Sequence, residues 1–569
     1  MRYHCLATDY DGTLAHDGKV SLETVDALHA LRGSGRKLVL VTGRELVDLL
    51  AIFPELNLFD LVVAENGGVL YRPGDRQEKP LAAGPPERFI AELDKRGVAP
   101  ISVGRVVVAT WDNHRVAVLE TIEALGLELQ MIFNKGALMV LPSGVNKATG
   151  LAVALGELGL SVRNTVGVGD AENDHAFLSV CECAVAVANA LPALKEKADI
   201  VTKGDHGSGV VELIKSLLES DLASAAPRLS RHDIPIGESQ DGAPVLLPAY
   251  GENILAAGHS GSGKSTFATG LIERLADRNY QLCIIDPEGD YTTLPHLLNV
   301  GDEQSEVTAE LVLDALRKPL QNVNANFIGV TFKRRAEVFL SLFSRLQIFR
   351  SQTGRPQWLV IDEAHHVFPR DGQFAEAAIP QNLVNTVLVT VTPNLLQPAI
   401  VGKITMLVAV GDDASAIVQQ FASLAGWQRP SERLPKVRRG EALLWAKNCP
   451  PIHVRIAPAH TQLVRHARKY AAGELPPGRE FHFRGPDGKL NLRAQNLMIF
   501  LQLADGVDDD TWMYHFRNGD YSQWFREAIQ SDELANEAES IEQQHDLSPA
   551  ESRALIRRSV ESRFTMPAR

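Results

Sequence analysis

Short apolar runs alternate with amphipathic stretches along the first 217 residues of the chain. Three of these runs end in polar residues, namely LATDYDGTL, KLVLVTGRE and NTVGVGDAEND, and stretches with helical spacing lie between the runs. Strands that alternate with helices in this way form parallel sheets covered by helices on both faces. The pattern therefore predicts an α/β domain over residues 1–217.

Two further changes of pattern predict the rest of the domain organisation. An alanine- and serine-rich segment interrupts the first pattern, and we predict a linker at residues 218–232. A second α/β pattern covers residues 233–470, and residues 471–569 have mainly helical periodicity. A chain of 569 residues is too long for a single core, which agrees with a division into three or four domains.

Composition narrows the class of protein. The chain is 45% hydrophobic and 22% charged, as in ordinary globular proteins. It has no apolar run of the ~18 residues that a membrane helix needs, and no pattern of a secretory signal at its start. Five scattered cysteines favour a reducing, cytoplasmic setting. The net charge of −13 argues against a globally basic nucleic-acid binder, although a local basic lining inside an assembled ring stays open.

A first candidate site follows the apolar run at Cys5–Thr8. Asp9 and Asp11 are two residues apart, so their carboxylates point to the same side of an extended segment. Ligands usually bind at the carboxyl edge of a parallel sheet, where one carboxylate can attack phosphorus while the other transfers protons. The alternative is a plain surface turn, because aspartate and glycine are common in turns.

Three more segments place polar residues at predicted strand ends or helix starts. Thr42 ends the second strand and can donate a hydrogen bond to phosphate, and Lys147 opens a helix where it can neutralise phosphate charge. Asp170, Asn173 and Asp174 follow a later strand and supply oxygen ligands that suit Mg²⁺. Four such segments in this order favour a phosphoryl-transfer site over a chance match.

With these motifs, residues 1–215 resemble the haloacid dehalogenase (HAD) phosphatases of the Cof-like, sugar-phosphatase branch. Three further segments match: ENGG at 65–68, AVAVANA at 184–190, and ADIVT with GSGVVELI between 198 and 214. The resemblance implies a HAD Rossmann-like parallel sheet with a small α+β cap at about residues 84–140. It also implies a small phosphorylated substrate, such as a sugar phosphate or phosphoglycolate.

The resemblance assigns roles to the matching residues. Asp9 would attack phosphorus and form an aspartyl-phosphate, which splits one difficult displacement into two steps. Asp11 would protonate the leaving oxygen and then activate water. Thr42 and Lys147 would hold the phosphoryl oxygens.

The same resemblance implies a magnesium site. Mg²⁺ would lie between the Asp9 carboxylate, the backbone carbonyl of Asp11 and Asp170. Asp174 and Asn173 would support the metal and phosphate shell. The cap selects the substrate in this family, but its residues do not reveal which substrate. Arg44, Arg115 and Lys135 could contact an anionic substrate, with solvated surface charge as the simpler interpretation of these three side chains.

A second candidate site follows the apolar run at Asn253–Ala257. The segment GHSGSGKST fits the G-x-x-x-x-G-K-[ST] pattern between a strand and a helix, and the backbone N–H groups of such a loop cradle phosphates. Lys264 would contact the β- and γ-phosphates of ATP, and Ser265 would ligate Mg²⁺. The candidate nucleotide-binding residues of the loop are Gly258, Ser260, Gly261, Ser262, Gly263, Lys264, Ser265 and Thr266.

A carboxylate pair in WLVIDEAH completes the second site. Asp362 would hold the Mg²⁺ shell, and Glu363 would polarise an attacking water, which favours an ATPase over a kinase because a kinase must exclude water. With IIDPEGDY at 284–291, residues 234–470 resemble the HerA/FtsK class of RecA-like P-loop ring ATPases. This resemblance implies a homo-oligomer such as a hexameric ring, with DNA as an open partner.

Two parts of a ring ATPase are not fixed by the sequence. Thr392 or Asn394 could sense the γ-phosphate. A neighbouring subunit would supply an arginine, and the unranked candidates are Arg429, Arg433, Arg438 and Arg439.

The aromatic residues near the C-terminus favour the core of a small helical domain over a binding surface. For the whole chain, the leading hypothesis is a bifunctional enzyme, a HAD phosphatase coupled to an ATP-hydrolysing domain. The alternative is a HerA-like hexameric DNA translocase with a nucleotide or DNA-end phosphatase, in repair or phage defence. A third hypothesis is a regulatory scaffold in which ATP binding switches the phosphatase.

Overall fold

The computed structural model describes most of the chain. The described residues are 1–134, 136–223, 229–259, 261–302, 304–370, 383–430, 433–461, 479–486, 488, 490–529, 531–544 and 546–563. They divide into two compact units, Met1–Gly289 with Pro295–His460 and Asp290–Leu294 with Thr461–Arg569. The strands of both predicted α/β patterns belong to the first unit.

The first α/β segment is built from a large sheet and a small one. Its strands are β1 Cys5–Thr8, β2 Lys37–Val41, β3 Leu61–Ala64, β4 Val69–Arg72, β5 Gln77–Pro80, β6 Ser102–Val103, β7 Val108–Trp111, β8 Leu129–Asn134, β9 Ala137–Pro142, β10 Thr165–Gly169, β11 Cys183–Ala186 and β12 Ile200–Val201. Its helices are α1 Leu22–Gly33, α2 Leu46–Ile52, α3 Glu87–Lys95, α4 Arg115–Leu125, α5 Lys147–Glu157, α6 His175–Val180, α7 Pro192–Lys197 and α8 His206–Ser220.

The large sheet confirms the predicted Rossmann-like parallel fold. Its order is β12-β11-β10-β1-β2-β3-β4-β5, parallel from β12 to β3 and antiparallel at β4 and β5. Strands β1, β3 and β10 are buried along their whole length, as expected of apolar strands covered on both faces. Their carboxyl ends share one edge, which brings the loops after β1, β2 and β10 together.

The small sheet forms the cap. Its antiparallel order is β6-β7-β9-β8, and α3 and α4 share one core with it. The core pairs Phe89 and Leu93 of α3 with Val118 of α4 and Leu138 and Val140 of β9. This arrangement is the small α+β cap that the sequence predicts, with its last strand extending to residue 142.

The predicted linker begins inside a helix. Helix α8 continues to Ser220, and Asp221 accepts a hydrogen bond from Arg36 Nη2 at 2.9 Å and another from the backbone N–H of Arg2. Leu222 is buried. This end of the linker is therefore packed on the phosphatase segment, and residues 224–228 lie outside the described residues.

The second α/β segment confirms the RecA-like prediction. Its strands are β13 Ile234–Ser239, β14 Pro244–Leu247, β15 Asn253–Ala257, β16 Leu282–Asp286, β17 Leu297–Val300, β18 Asn322–Asn326, β19 Trp358–Ile361, β20 Thr386–Thr390, β21 Met406–Val410, β22 Glu441–Ala446 and β23 Ile452–Ile456. Its helices are α9 Lys264–Asp277, α10 Ala309–Leu316, α11 Phe332–Thr353, α12 Pro398–Val401 and α13 Ala414–Ala425. The sheet order is β14-β13-β23-β22-β21-β15-β20-β19-β16-β18-β17, parallel from β21 to β17.

The smaller unit has a mainly helical C-terminal part, as predicted. A strand pair, β24 Phe481–Phe483 and β25 Leu492–Ala494, precedes the helices Leu497–Gly506, Asp509–Asn518, Asp520–Glu527, Asp532–Glu542 and Pro549–Arg563. The predicted aromatic residues are buried in one core, among them Trp512, Phe516, Tyr521, Trp524 and Phe525. The boundary predicted at residue 470 falls outside the described residues. No helix in the described part of the chain is long and apolar enough to span a membrane.

Candidate active sites

The first site is centred on a buried ion pair at the carboxyl edge of the large sheet. Asp9 follows β1 directly and accepts a hydrogen bond from Lys147 Nζ at 2.6 Å, and both side chains are almost fully buried. Lys147 is the first residue of α5, a helix start that Asn146 and Thr149 fix with reciprocal capping hydrogen bonds. The structure thus places the predicted nucleophile and the predicted cation in contact.

A glycine allows α5 to reach this position. Gly67 has a φ of +105°, and a Cβ there would lie 2.0 Å from the carbonyl oxygen of Asn146. Any larger residue would push the start of α5, and with it Lys147, away from the sheet edge.

Three carboxylates surround the ion pair. Oxygens of Asp9, Asp170 and Asp174 all lie within 4.8 Å of one another, and all three side chains are buried. Burial and the nearby Asp174 raise the pKa of Asp9 to about 8, although Lys147 acts to lower it. Three carboxylates against one ammonium leave an excess of buried negative charge, and hard oxygen ligands of this kind suit Mg²⁺. The residues therefore fit the predicted metal.

Asp174 accepts hydrogen bonds from both Lys147 and the loop that carries Asp170. One of its oxygens accepts the backbone N–H groups of Asp170 and Ala171, both at 2.9 Å, and the other contacts Lys147 Nζ at 2.5 Å. The side chain of Thr13 donates to Asp170 at 3.2 Å. These contacts show Asp174 holding the Asp170 loop and orienting Lys147.

Arg44 forms an ion pair with Asp11. Its guanidinium forms a fork with the Asp11 carboxylate, with Nε and Nη2 each 2.6 Å from a carboxylate oxygen. Bidentate pairs of this type fix the plane of a carboxylate. Arg44 is thus paired with the predicted proton-transfer residue while 32% of its side chain stays exposed, and its contact with an anionic substrate stays a prediction. Arg115 is exposed on α4, and Lys135 lies outside the described residues.

The remaining predicted residues lie at the same edge. Thr42 is buried, and its hydroxyl oxygen accepts the backbone N–H of Arg44 at 3.1 Å, which leaves its own proton available for a phosphate oxygen. Asn173 donates to the Asn66 side chain at 3.2 Å. The side-chain amide oxygen of Asn173, Oδ1, is buried and lacks a hydrogen-bond partner among the described residues. In the sequence Asn66 stands out only as part of the ENGG motif, and its contact depends on the left-handed backbone of its loop.

Glu65 attaches the cap to the sheet. Its buried carboxylate accepts the backbone N–H groups of Arg105, Val106 and Val107 at 3.0, 2.7 and 3.1 Å. These residues lie between the cap strands β6 and β7. The sequence marks Glu65 as a motif residue but does not reveal this connection, because its partners are backbone groups 40 or more positions away.

Replacing Arg44 tests whether the fork matters for turnover. We expect Arg44→Gln to lower kcat of the phosphatase by about 10- to 100-fold, because Asp11 loses the pair that fixes its carboxylate. Arg44→Lys, which keeps the charge but not the fork, should recover only part of the loss. Arg115→Gln is the matched control on the cap. Equal kcat in Arg44→Gln and Arg115→Gln would show that the fork is dispensable.

The second site is a loop of the phosphate-binding type, and its lysine donates hydrogen bonds to the backbone of the loop. Lys264 opens α9, and its Nζ donates to the carbonyl oxygens of Gly258 and His259 at 2.7 and 3.0 Å. Gly261 and Gly263 both have positive φ, +79° and +109°, which a loop of this tightness requires. Thr266 is exposed on α9, and Ser260 lies outside the described residues.

Two hydroxyl groups of this loop fit a nucleotide and its metal. The Oγ atoms of Ser262 and Ser265 are buried and have no hydrogen-bond partner in the part of the chain that the structure describes. A buried hydroxyl without a partner is costly unless a ligand supplies one. Phosphate oxygen and Mg²⁺ are partners of the required kind, so the loop fits the predicted cofactors.

The predicted carboxylate pair lies beyond an inserted strand. Asp362 follows β19, which β20 separates from the phosphate-loop strand β15. Asp362 accepts the backbone N–H of Glu363 at 2.9 Å, and Glu363 is largely buried with a left-handed backbone, φ +39°. Such strained backbone is a common feature of functional positions.

His365 connects Glu363 to the inserted strand. Its Nδ1 lies 3.5 Å from a Glu363 carboxylate oxygen and 3.3 Å from Oγ1 of Thr390, the last residue of β20. The carbonyl of Thr390 in turn accepts the backbone N–H of Gly258. The sequence offers Thr392 or Asn394 as the sensor, and the Thr392 hydroxyl donates to Gln420 at 3.0 Å. The sensor assignment to Thr392 or Asn394 stays a prediction.

The contact with Glu363 predicts a positioning role for His365. We expect His365→Ala to lower kcat for ATP hydrolysis by about 10-fold or more while the affinity for ATP changes little, because Glu363 loses a side chain that orients it. His365→Asn, which keeps a polar atom near Thr390, should retain more activity. A loss of ATP affinity with unchanged kcat would refute this role.

Comparisons with known proteins match parts of both α/β segments. A family model described as haloacid dehalogenase-like hydrolase matches residues 6–103 and 119–214, and one described as the central domain of helicase HerA matches residues 252–336. The first match includes Asp9 and Lys147, and the second includes Lys264.

Curated relatives resemble the first part of the chain. The phosphoglycolate phosphatase of Methanothermobacter thermautotrophicus is 32% identical over 222 residues, 37% of this chain and 98% of that protein. Phosphoglycolate phosphatase 2 of Saccharolobus solfataricus is 33% identical over 226 residues, 38% of this chain and 93% of that protein. A solved haloacid dehalogenase-like hydrolase from Bacteroides thetaiotaomicron aligns with a TM-score of 0.35 at 18% identity, covering 38% of this chain and 99% of that one.

Proposed function

The chain belongs to the haloacid dehalogenase-like hydrolases and carries a HerA-type central domain, and on this premise we propose that it is a Mg²⁺-dependent phosphatase coupled to an ATPase. As a phosphoric monoester hydrolase it needs a nucleophile, a proton donor and positive charge at the phosphoryl group. The buried contact between Asp9 and Lys147, beside Asp170 and Asp174, carries the proposal. It supports Asp9 as the nucleophile and Lys147 as the positive charge at the phosphoryl group.

The phosphatase mechanism follows from the side chains at the sheet edge. Asp9 attacks phosphorus in line and forms an aspartyl-phosphate, while Asp11, held by Arg44, protonates the leaving oxygen and then removes a proton from the attacking water. Lys147 and the Thr42 hydroxyl hold the phosphoryl oxygens. Mg²⁺, held by Asp9, Asp170 and the Asp11 carbonyl, would supply further neutralisation of the phosphoryl charge.

The proposed substrate is a small phosphorylated metabolite. Two curated relatives that match nearly their full length are phosphoglycolate phosphatases, which supports phosphoglycolate or a sugar phosphate as the substrate class. The cap, anchored by Glu65, would close over a substrate of this size.

The proposed ATPase uses the second site. Lys264 would contact the terminal phosphates of ATP, Ser265 and Asp362 would hold its Mg²⁺, and Glu363 would polarise water. ATP and Mg²⁺ as ligands support a cytoplasmic location. We assign residues 1–217 to the phosphatase, 233–470 to the ATPase and 471–569 to a C-terminal domain, with 218–232 between the first two.

A second candidate function rests on the HerA match at residues 252–336. It makes the chain a hexameric DNA translocase in repair or phage defence, whose phosphatase acts on nucleotides or DNA ends. Oligomerisation and DNA binding belong to this proposal.

One panel separates the two functions. Phosphate release is measured from phosphoglycolate, sugar phosphates, nucleotides and 3′- or 5′-phosphorylated DNA, with and without ATP and duplex DNA. The leading proposal predicts turnover of small metabolites and ATP hydrolysis that DNA leaves unchanged. The DNA translocase predicts that DNA stimulates ATP hydrolysis, that Lys264→Ala abolishes this activity, and that the phosphatase prefers DNA ends. These results together would replace the leading proposal with the second candidate function.

A further inference from the structure

A buried carboxylate joins the phosphatase segment to the ATPase segment inside the larger unit. Glu182 precedes β11, and only 4% of its surface is exposed. One oxygen accepts Arg2 Nη2 at 2.6 Å, and the other accepts the Tyr280 hydroxyl at 2.9 Å and Arg163 Nη1 at 3.3 Å. Tyr280 belongs to the ATPase segment, so Glu182 is shared between the two.

Hydrogen bonds to backbone carbonyls extend this contact. Arg163 Nε donates to the carbonyl of Arg278 at 2.7 Å, and Asn164 Nδ2 donates to the carbonyl of Thr353 at 3.4 Å. The Arg2 guanidinium also lies 4.7 Å from the centre of the Tyr250 ring. Buried polar groups of both segments therefore satisfy each other, as they do within single domains.

Gly354 of the ATPase segment also packs closely against the phosphatase segment. Gly354 follows α11 with a φ of +57°, and the His4 imidazole of the phosphatase segment occupies the space that a Cβ would need, at 1.7 Å. A side chain at this position would displace the His4 ring from the contact.

The contacts lie at the amino ends of both sheets. On the phosphatase side, Arg2, Asn164 and Glu182 precede β1, β10 and β11. On the ATPase side, Tyr250, Tyr280 and Thr353 precede β15, β16 and β19. Both candidate active sites lie instead at the carboxyl ends of these parallel strands.

We propose that the phosphatase and the ATPase are docked back to back through the Glu182 interface and form one cooperative folding unit with oppositely directed active sites. The phosphatase is thus a fixed part of the ATPase body. Phosphate or ADP released at Lys264 has to pass through solvent to reach Asp9. Removing Glu182 would leave the buried Arg163 and the partly buried Arg2 without their carboxylate, which is strongly destabilising to an interface.

The test is urea unfolding of the full chain, followed by pulsed hydrogen exchange with mass spectrometry. Peptides of β1 and β10 report on the phosphatase, and peptides of β16 and β19 report on the ATPase. We expect all four to share one midpoint in the wild type. Tyr280→Phe, which removes only the hydroxyl bound to Glu182, should lower all midpoints together, and Glu182→Ala should separate them into two groups. Glu196→Ala, an exposed glutamate on α7, is the control.

Separate midpoints in the wild type would overturn the proposal, as would a Tyr280→Phe effect confined to β16 and β19. Tyr280→Phe keeps the test decisive if Glu182→Ala does not fold. Adding MgADP should raise the β1 and β10 midpoints with those of β16 and β19, because a ligand that binds the native state stabilises everything that unfolds with its site. A rise confined to β16 and β19 counts against docking, whereas failure of MgADP to bind, with coincident midpoints, counts only against the ATPase.

Discussion

Asp9→Asn is expected to abolish phosphate release from every metabolite that the wild-type protein hydrolyses, by about 10⁴-fold or more. An amide is a poor nucleophile, and it cannot form the acyl-phosphate that the two-step route requires. The change is nearly isosteric, so the contact with Lys147 at this buried position loses charge but little volume. The measurement is steady-state phosphate release from phosphoglycolate and sugar phosphates.

The control for this variant is the other active site. With no metabolite present, Asp9→Asn should leave ATP hydrolysis at the wild-type rate, because Lys264 and the phosphate loop are unchanged. Metabolite hydrolysis that survives in Asp9→Asn would mean that another residue attacks phosphorus, and the assignment of the nucleophile would be wrong.

Glu363→Gln is expected to lower ATP hydrolysis by about 10²- to 10⁴-fold while ATP still binds. Glutamine keeps the shape of the side chain but cannot accept the proton of the attacking water. ATP binding should persist because the phosphate loop and Lys264 are unchanged. Hydrolysis is followed by ADP formation, and binding by a fluorescent ATP analogue.

Phosphatase activity serves as the internal control here. Without ATP in the assay, Glu363→Gln should hydrolyse metabolites as the wild type does. If ATP hydrolysis continues unchanged in Glu363→Gln, water is polarised by another group; if ATP no longer binds, Glu363 acts in binding rather than catalysis.

Much of both sites follows from short, contiguous patterns. Asp9 and Asp11 were predictable because a strand and a turn bring them together locally, and Lys147 because a capped helix start is visible in the sequence. The alternation of apolar runs and helices, together with the two motifs, predicts the RecA-like class, whereas the strand order, with β20 between β15 and β19, comes from the structure.

The contacts missed by the sequence analysis depend on long-range packing. The pairing of Arg44 with Asp11 has no local signature, because the two residues lie 33 positions apart in loops after different strands. Glu65 binds backbone N–H groups, which have no sequence signature. Glu182 stands in an apolar run between two buried cysteines, and its partners come from three separate segments. Such partners become visible only when the strands are aligned in space.

The central claim is that Asp9 carries the phosphoryl group, and chemical trapping tests it directly. Wild-type protein turning over phosphoglycolate, or the best substrate of the metabolite panel, with Mg²⁺ is treated with borohydride, which reduces an acyl-phosphate to an alcohol, and the peptide containing residues 9 and 11 is sequenced by mass spectrometry. The account predicts homoserine at position 9 only during turnover, and no reduced product in Asp9→Asn. Rapid turnover with residue 9 unreduced, or with the reduction at Asp11, would contradict it.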